Sequence, residues 1–428
     1  MPMTKVVVHT LGCKVNQYES TQILDEFAAN GFFASDKMQA ADIYVINTCA
    51  VTKEAERKSR QLCRKAWSLN ANAQVFVIGC AVENYCKTNQ TPTFAGAIIV
   101  TGCKDKQETC KKILDMATFD AVLMGGVSAE SASQGATAEH KMSRKYIKIQ
   151  DGCNKFCSYC IIPHLRGRSS SRSCEEVLAE IQRTDAREII LTGIDVASFG
   201  KDNHQRLIDL IEMMTADPIV SAKDTRFRFG SVDPELVDKE FLLALKKNGK
   251  FCEHFHLSLQ SASDSVLRAM NRPYTIQEFV DKVALTREIL GEDVGLTTDI
   301  IVGYPTETDK DFETSLQNLE KIKFSDMHIF RYSRREGTLA ARLPVLPSET
   351  VEYRAKVMEG LRDKHATQFL QQQIGQTMEV YFETPFEKDT RLSKGYARNY
   401  CQVVAPCKPF SVQQVTIQKV QDGLLYGV

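Results

Sequence analysis

No apolar run in this 428-residue chain approaches the length needed to cross a bilayer as a helix, so no membrane-spanning helix is expected. The chain also lacks net charge: 54 basic and 54 acidic side chains cancel, which excludes a globally basic nucleic-acid binder but not local basic patches. There is no secretory architecture at the start, where MPMTKVVVHT reads as a first buried strand, and the cytoplasm is the expected location. No repeat appears beyond an alternation of strand-like and helix-like segments. What the chain has in quantity is cysteine. Fourteen thiols in a large chain without secretory features point to metal or redox chemistry and away from a disulfide framework.

Short aliphatic runs at 4–9, 43–46, 75–78 and 97–100 read as buried strands separated by helical patterns, so residues 1–120 are expected to form a parallel α/β, Rossmann-like domain. Small polar residues around 125–143 read as a linker, placed at 121–140. A second series follows at 146–149, 188–191, 226–229, 254–257, 296–302 and 327–330. It fits a partial (β/α)6 barrel over 141–370, with chemistry expected in the loops after the strands; a doubly wound open sheet is the alternative. A long helix covers about 348–374. From 371 to 428 the runs MEVYF, CQVV, VQQVTI and LLYGV predict a small all-β module.

DGCNKFCSYC places Cys153, Cys157 and Cys160 in a CxxxCxxC arrangement directly after a strand. Three thiolates on one loop suit one face of a 4Fe-4S cube, leaving one iron without a protein ligand. A structural zinc site generally needs a fourth ligand, and no second CxxC pair exists. Cys13, Cys49 and Cys80 each follow a predicted strand of the first domain. Parallel topology would bring them to one sheet edge, again as three ligands. Cys103 is the rival to Cys80. The other cysteines share no spacing and read as buried small hydrophobes or surface thiols.

The segments LGCKVNQYES, INTCAVTKEAERKSRQ, DGCNKFCSYCIIPHLRGRSSSR, LTGIDVASFG, HLSLQSASDSVLRAMNR, TDIIVGYPTET and YSRREGT together resemble the radical S-adenosylmethionine (AdoMet) methylthiotransferase family, over essentially the whole chain. LGCKVNQYE is similar to the branch acting on threonylcarbamoyladenosine in tRNA. The branches acting on isopentenyl-adenosine and on a ribosomal-protein aspartate are the alternatives. The resemblance implies two 4Fe-4S clusters, AdoMet, a C-terminal TRAM module, and methylthio insertion at C2 of adenosine-37 in the anticodon loop. An external electron donor and a sulfur source are expected, as is a monomer. The six cysteines are then both metal ligands and catalytic. Tyr159 before the third cysteine, Asp299 within the fifth strand, and Gly193, Asp195, Arg228, Ser231, Gln260 and Phe330 near strand ends are expected to reach one barrel mouth and bind the cofactor. Ala262, Tyr304, Thr306 and Arg334 depart from the family's usual residues.

Two segments carry local positive charge. Residues 53–65 hold six Lys/Arg against two Glu (+4), and residues 141–172 hold eight Lys/Arg against one Asp (+7). In the second, Arg166, Arg168 and Arg172 follow the cysteine loop and are expected to meet phosphates. In the last module Tyr381, Phe382, Phe386, Tyr396 and Tyr400 are interleaved with Arg391, Lys394 and Arg398. Base stacking there is an expectation, as is loss of tRNA binding alone when residues after 375 are removed.

Overall fold

The computed structural model describes residues 4–87, 94, 96–101, 106–123 and 144–428. The chain folds as two compact units. The first comprises Met1–Met142, Gly152–Asn154 and Cys160–Arg168; the second comprises Ser143–Asp151, Lys155–Tyr159 and Ser169–Val428. Among the described residues no helix is long and apolar enough to cross a membrane.

The first unit is built on a five-stranded parallel sheet: β1 (Lys5–Thr10), β2 (Phe33–Ser35), β3 (Ile43–Thr48), β4 (Gln74–Gly79) and β5 (Ile98–Ile99), in the order β2-β1-β3-β4-β5. Strand β3 is buried along its whole length, as expected for a central parallel strand covered on both faces. Four helices connect or cover the strands: α1 (Lys14–Ala29), α2 (Lys53–Leu69), α3 (Cys80–Lys87) and α4 (Lys106–Leu123). Thr52 caps α2 by accepting from the Ala55 amide, with Glu54 and Glu56 in the first turn against the helix dipole. Helix α4 continues to Leu123, into the expected linker; the remainder of that linker, and Cys103, lie outside the described residues. Helix α5 (Ile162–Arg166) also belongs to this unit and packs Ile161 and Leu165 into the same core as Tyr44, Ile46 and Val77.

The second unit contains six parallel strand positions. Strands β6 (Arg144–Lys148), β9 (Glu188–Thr192) and β10 (Arg226–Phe229) form one sheet. Strands β11 (Ser231–Val232), β12 (His254–Leu257), β13 (Gly295–Val302) and β14 (Asp326–Arg331) form the next. Only Gly230 separates β10 from β11, so the two sheets run on through one interrupted strand, with β6 and β14 as the outer edges. A short antiparallel pair, β7 (Gln150–Asp151) with β8 (Ser170–Ser171), follows β6. The helices between strands start with capping boxes at Ser173/Glu176, Thr275/Glu278 and Thr308/Asp311. Alternate strand residues such as Ile189, Leu191, Phe227, Phe255 and Leu296 pack with those helices in one large core. Their neighbours Arg144, Glu188, Arg226, Arg228, His256 and Asp299 occupy the opposite face. The period-2 pattern thus separates an apolar outside from a polar inside.

After the helix Ser348–Gln372, strands β15 (Thr377–Phe386), β16 (Asp389–Ala397), β17 (Gln402–Ala405), β18 (Ser411–Gln421) and β19 (Leu424–Gly427) close into a barrel in the order β15-β16-β17-β19-β18. Its turn Ala397–Tyr400 is pressed against the starts of the parallel strands. Arg228 donates to the carbonyls of Arg398 (3.0 Å) and Ala397 (3.3 Å), Tyr400 stacks on His254 at 4.5 Å, and Arg398 pairs with Glu253.

Candidate active site

Cys13, Cys49 and Cys80 follow β1, β3 and β4, three adjacent parallel strands, and stand at the same sheet edge. Two glycines permit the approach. A Cβ on Gly12 (φ +100°) would sit 2.8 Å from Cys49 Cβ and 2.9 Å from its Sγ. One on Gly79 (φ +96°) would sit 2.5 Å from Asn47 Oδ1. Side-chain hydrogen bonds then lock the three loops. Asn16 Nδ2 donates to the carbonyls of Leu11 (2.9 Å) and Thr48 (3.0 Å), just before Gly12 and Cys49. Asn47 Nδ2 donates to the Asn16 carbonyl (3.1 Å) and Ser20 Oγ (3.0 Å), and Thr48 Oγ1 donates to the Ile78 carbonyl (2.6 Å). Sequence reasoning singled out the cysteines alone. The polar neighbours Asn16, Asn47 and Thr48, inside the same motifs, were the signal it passed over.

None of the three forms a disulfide. Cys49 and Cys80 are buried, and Cys13 is exposed. Although its surface remains accessible, protein atoms crowd the Cys13 thiol enough that desolvation leads in raising its pKa. Arg166 acts against that rise, and Cys80 adds to it. Three soft sulfur donors at one edge suit an iron–sulfur centre with one open position.

The CxxxCxxC loop runs from β7 to α5. In the second unit, the segment carrying Cys157 is held from Met270–Arg272. Ser158 N donates to the Met270 carbonyl, Asn271 Nδ2 donates to the carbonyls of Lys155 and Phe156, and Arg272 NH1 lies 3.5 Å from Cys157 Sγ. Arg272 also binds Asp233 (2.7 Å) and the Ser258 carbonyl (2.8 Å). Lys155 reaches Asp233 (2.7 Å), Glu235 (2.9 Å) and Asp195 (3.7 Å). Burial alone would raise the Asp233 carboxyl; Arg272 and Lys155 hold it below the ordinary carboxylate value. Arg272, Asn271 and Lys155 are site residues that the sequence reading did not choose. Tyr304, one of the departures from the family pattern, bonds through its hydroxyl to Ser158 Oγ (2.8 Å) and the Ala269 carbonyl (2.9 Å), buttressing the same loop.

The cofactor candidates divide. Asp195 lies at the mouth beside Lys155, its amide bound by Gln150 Oε1 (2.8 Å) and its carboxylate by Ser198 (2.6 Å). Gly193 lets Gln150 approach, since a Cβ there would meet Gln150 Oε1 at 2.8 Å. Gln260 (φ +73°) binds the β13 backbone at Asp299 and Ile301, and Ser231 is exposed at the start of β11. Asp299 lies between His256 (3.2 Å) and His328 (3.1 Å). Their hydrogen bonds overcome the opposing effect of burial and hold its carboxyl well below the usual range. Phe330 is exposed two residues beyond His328. Two candidates stand apart. Tyr159 packs against the Val266–Met270–Tyr304–Ala340 cluster. Arg228 points to the closed end, engaged by Glu188 and the C-terminal barrel, because its guanidinium is worth burying only where carboxylate and carbonyl partners surround it.

The charge expectations need correction. Arg166 is buried against Glu19, and Arg172 is bound to Glu180 (2.5 Å). Arg144, Lys148 and Lys155 of the same patch are ion-paired too. Acids distant in sequence thus neutralise most of it, while Arg168 remains exposed. In the last module, Phe382 fills the core, Phe386 is buried, Tyr381 is buried against Arg226 (5.8 Å), and Tyr396 and Tyr400 sit against Arg144 (4.0 and 5.5 Å), so these rings are not a base-stacking surface. On α2, Lys53, Arg57, Lys58, Arg64 and Lys65 are exposed.

The chain is similar to known proteins over most of its length. Residues 147–319 match the Radical SAM superfamily, and residues 5–95 match the uncharacterized protein family UPF0004. The chain is 34% identical to the threonylcarbamoyladenosine tRNA methylthiotransferase MtaB of Bacillus subtilis, over 94% of this chain and 90% of that protein. It is 36% identical to the protein of the same name from Thermotoga maritima, over 80% and 77%. It is 29% identical to a tRNA-2-methylthio-N(6)-dimethylallyladenosine synthase of Desulfitobacterium hafniense, over 99% and 97%. The fold is similar to that of the radical S-adenosylmethionine methyltransferase TsrM from Kitasatospora setae, with a TM-score of 0.54 at 15% identity, covering 79% and 77% of the two chains.

Proposed function

This chain belongs to the radical AdoMet tRNA methylthiotransferase family, and from that premise we propose that it inserts a methylthio group at C2 of threonylcarbamoyladenosine-37 in the tRNA anticodon loop. The observation that carries the reading is the convergence of Cys13, Cys49 and Cys80 after three adjacent parallel strands, in a chain that also bears the CxxxCxxC loop of Cys153, Cys157 and Cys160. Cys153, Cys157 and Cys160 would hold a 4Fe-4S cluster with AdoMet, and Cys13, Cys49 and Cys80 a second cluster. When bound, these groups supply C–H activation, sulfur and methyl, for which no side-chain base suffices at an aromatic C–H.

The chain's own residues bind and orient. Lys155 and Arg272 brace the loop of Cys157 against Asp233. Asp195, Gly193, Ser231 and Gln260 line the loops after the strands, where small-molecule sites of such barrels form. Asp299, kept ionised between His256 and His328, offers a fixed acceptor beside the exposed ring of Phe330. Anticodon-loop bases are unpaired and can be splayed into such a mouth. The exposed basic side chains of α2 suit backbone phosphates. The intended division is a cluster domain at 1–120, a radical AdoMet domain at 141–370 and a TRAM module at 371–428. The protein would act as a cytoplasmic monomer supplied with electrons and sulfur from outside.

Mass spectrometry of tRNA nucleosides from cells lacking the gene tests this. Loss of the methylthio form of threonylcarbamoyladenosine is expected. Loss instead of the isopentenyl-adenosine derivative, or of a methylthio group on a ribosomal-protein aspartate, would reject the substrate. In vitro, replacing Cys13, Cys49 and Cys80 by alanine should abolish sulfur insertion while 5′-deoxyadenosine still forms.

A further inference from the structure

Arg166 is an arginine with 3% exposure, and it binds Glu19 and Asn16 within the first unit. NH1 and NH2 form a fork on Glu19 (2.9 and 3.1 Å), and NH2 also donates to Asn16 Oδ1 (2.7 Å). Glu19 and Asn16 are each 1% exposed. Burying such a pair gives little or no net stability compared with apolar side chains of the same volume, so stability alone does not account for it. Its position does. Asn16 Oδ1 is shared between Arg166 and the Cys13 thiol (3.7 Å), while Asn16 Nδ2 grips the carbonyls of Leu11 and Thr48. One guanidinium therefore orients the side chain that ties the Cys13 loop to the Cys49 loop. The helix bearing Arg166 is also fastened to the helix that starts at Cys80: Lys87 Nζ donates to the His164 carbonyl (2.5 Å), and Ile161 and Leu165 share a core with Cys80.

We propose that Arg166 is a positioning residue of the Cys13–Cys49–Cys80 site, fixing two of its loops through Asn16 and holding a buried positive charge near the Cys13 thiolate that raises the reduction potential of the metal group bound there. The proposal rests on the reading of these cysteines as iron–sulfur ligands. Local charge and hydrogen bonding are what set cluster potentials within one ligand type. Glu19 offsets part of that charge, so the two side chains push the potential in opposite directions.

The test uses the full-length chain with Cys153, Cys157 and Cys160 replaced by alanine, reconstituted anaerobically with iron and sulfide, so that only one cluster remains. Its midpoint potential is read by EPR redox titration in three forms: this parent, Glu19→Gln, and Glu19→Gln with Arg166→Gln. The glutamine pair keeps hydrogen bonds in place of the ion pair. The potential is expected to rise in Glu19→Gln and to fall below that value in the double variant, with altered g-values as Asn16 is released. Equal potentials in Glu19→Gln and the double variant overturn the proposal, as does an unshifted potential in Glu19→Gln. The latter comparison suffices even where Trp67 fluorescence shows the double variant unfolded. A parent that binds no iron overturns the ligand reading together with the proposal, which distinguishes the two failures.

Discussion

Replacing Glu188 by glutamine tests the electrostatic account of the second unit. Its carboxylate is fully buried on the inner face of β9 and lies 2.7 Å from Arg226, 3.2 Å from Arg228 and 3.3 Å from Arg144. Burial pushes the Glu188 pKa up. The three guanidinium groups more than reverse this, and it falls from 4.5 to about 2. Because the folded value is the depressed one, its stabilisation is fully present above the unfolded value of 4.5 and disappears as pH falls through about 2. The interval corresponds to about 3 kcal/mol, with about 2 kcal/mol of it lost between about pH 5 and about pH 3. Glutamine removes the charge and leaves the buried Arg226 and Arg228, and the half-buried Arg144, short of an anion, so a loss of ~3–5 kcal/mol is expected at neutral pH. Urea denaturation followed by far-UV circular dichroism measures it, together with hydrogen exchange in β9 and β10. Trp67, the single tryptophan, lies in the first unit and serves as an unmoved internal control. A loss below about 1 kcal/mol, or a variant that keeps the wild-type acid slope, would refute the reasoning.

Three further outcomes are expected. Arg272→Lys breaks the fork that joins Asp233, the Ser258 carbonyl and the Cys157 sulfur; 5′-deoxyadenosine formation should drop about tenfold or more, and an unchanged rate with full iron content would count against the brace. Asn16→Ala leaves the Leu11 and Thr48 carbonyls without their donor and should cost about 2–4 kcal/mol in urea titration by Trp67 fluorescence; a cost under about 1 kcal/mol would mean that these bonds do not hold the loops. Removing residues after 375 takes away Glu383, Glu379 and the carbonyls that satisfy Arg144, Arg226 and Arg228, so AdoMet cleavage and tRNA binding should fail together. A truncated chain that still cleaves AdoMet at the full rate would restore the simpler view of a detachable RNA module.

Local pattern determined a good deal. Six short strand-like runs marked the parallel strands of the barrel, and a cysteine after each of β1, β3 and β4 marked a common sheet edge, because strand period and βα connectivity are short-range properties written in adjacent residues. Strand β16, DTRLSKGYA, escaped notice because only alternate, small positions of this polar segment are buried once the barrel closes. What only the tertiary structure decided was the partner of each charge. Arg166 looked like a phosphate ligand until Glu19 was found against it; Arg228 looked like a cofactor ligand until Glu188 and the Ala397–Tyr400 turn enclosed it. Ion pairing depends on which distant residues meet in space and on how far water is excluded there, and neither is encoded in the spacing of neighbours along the chain.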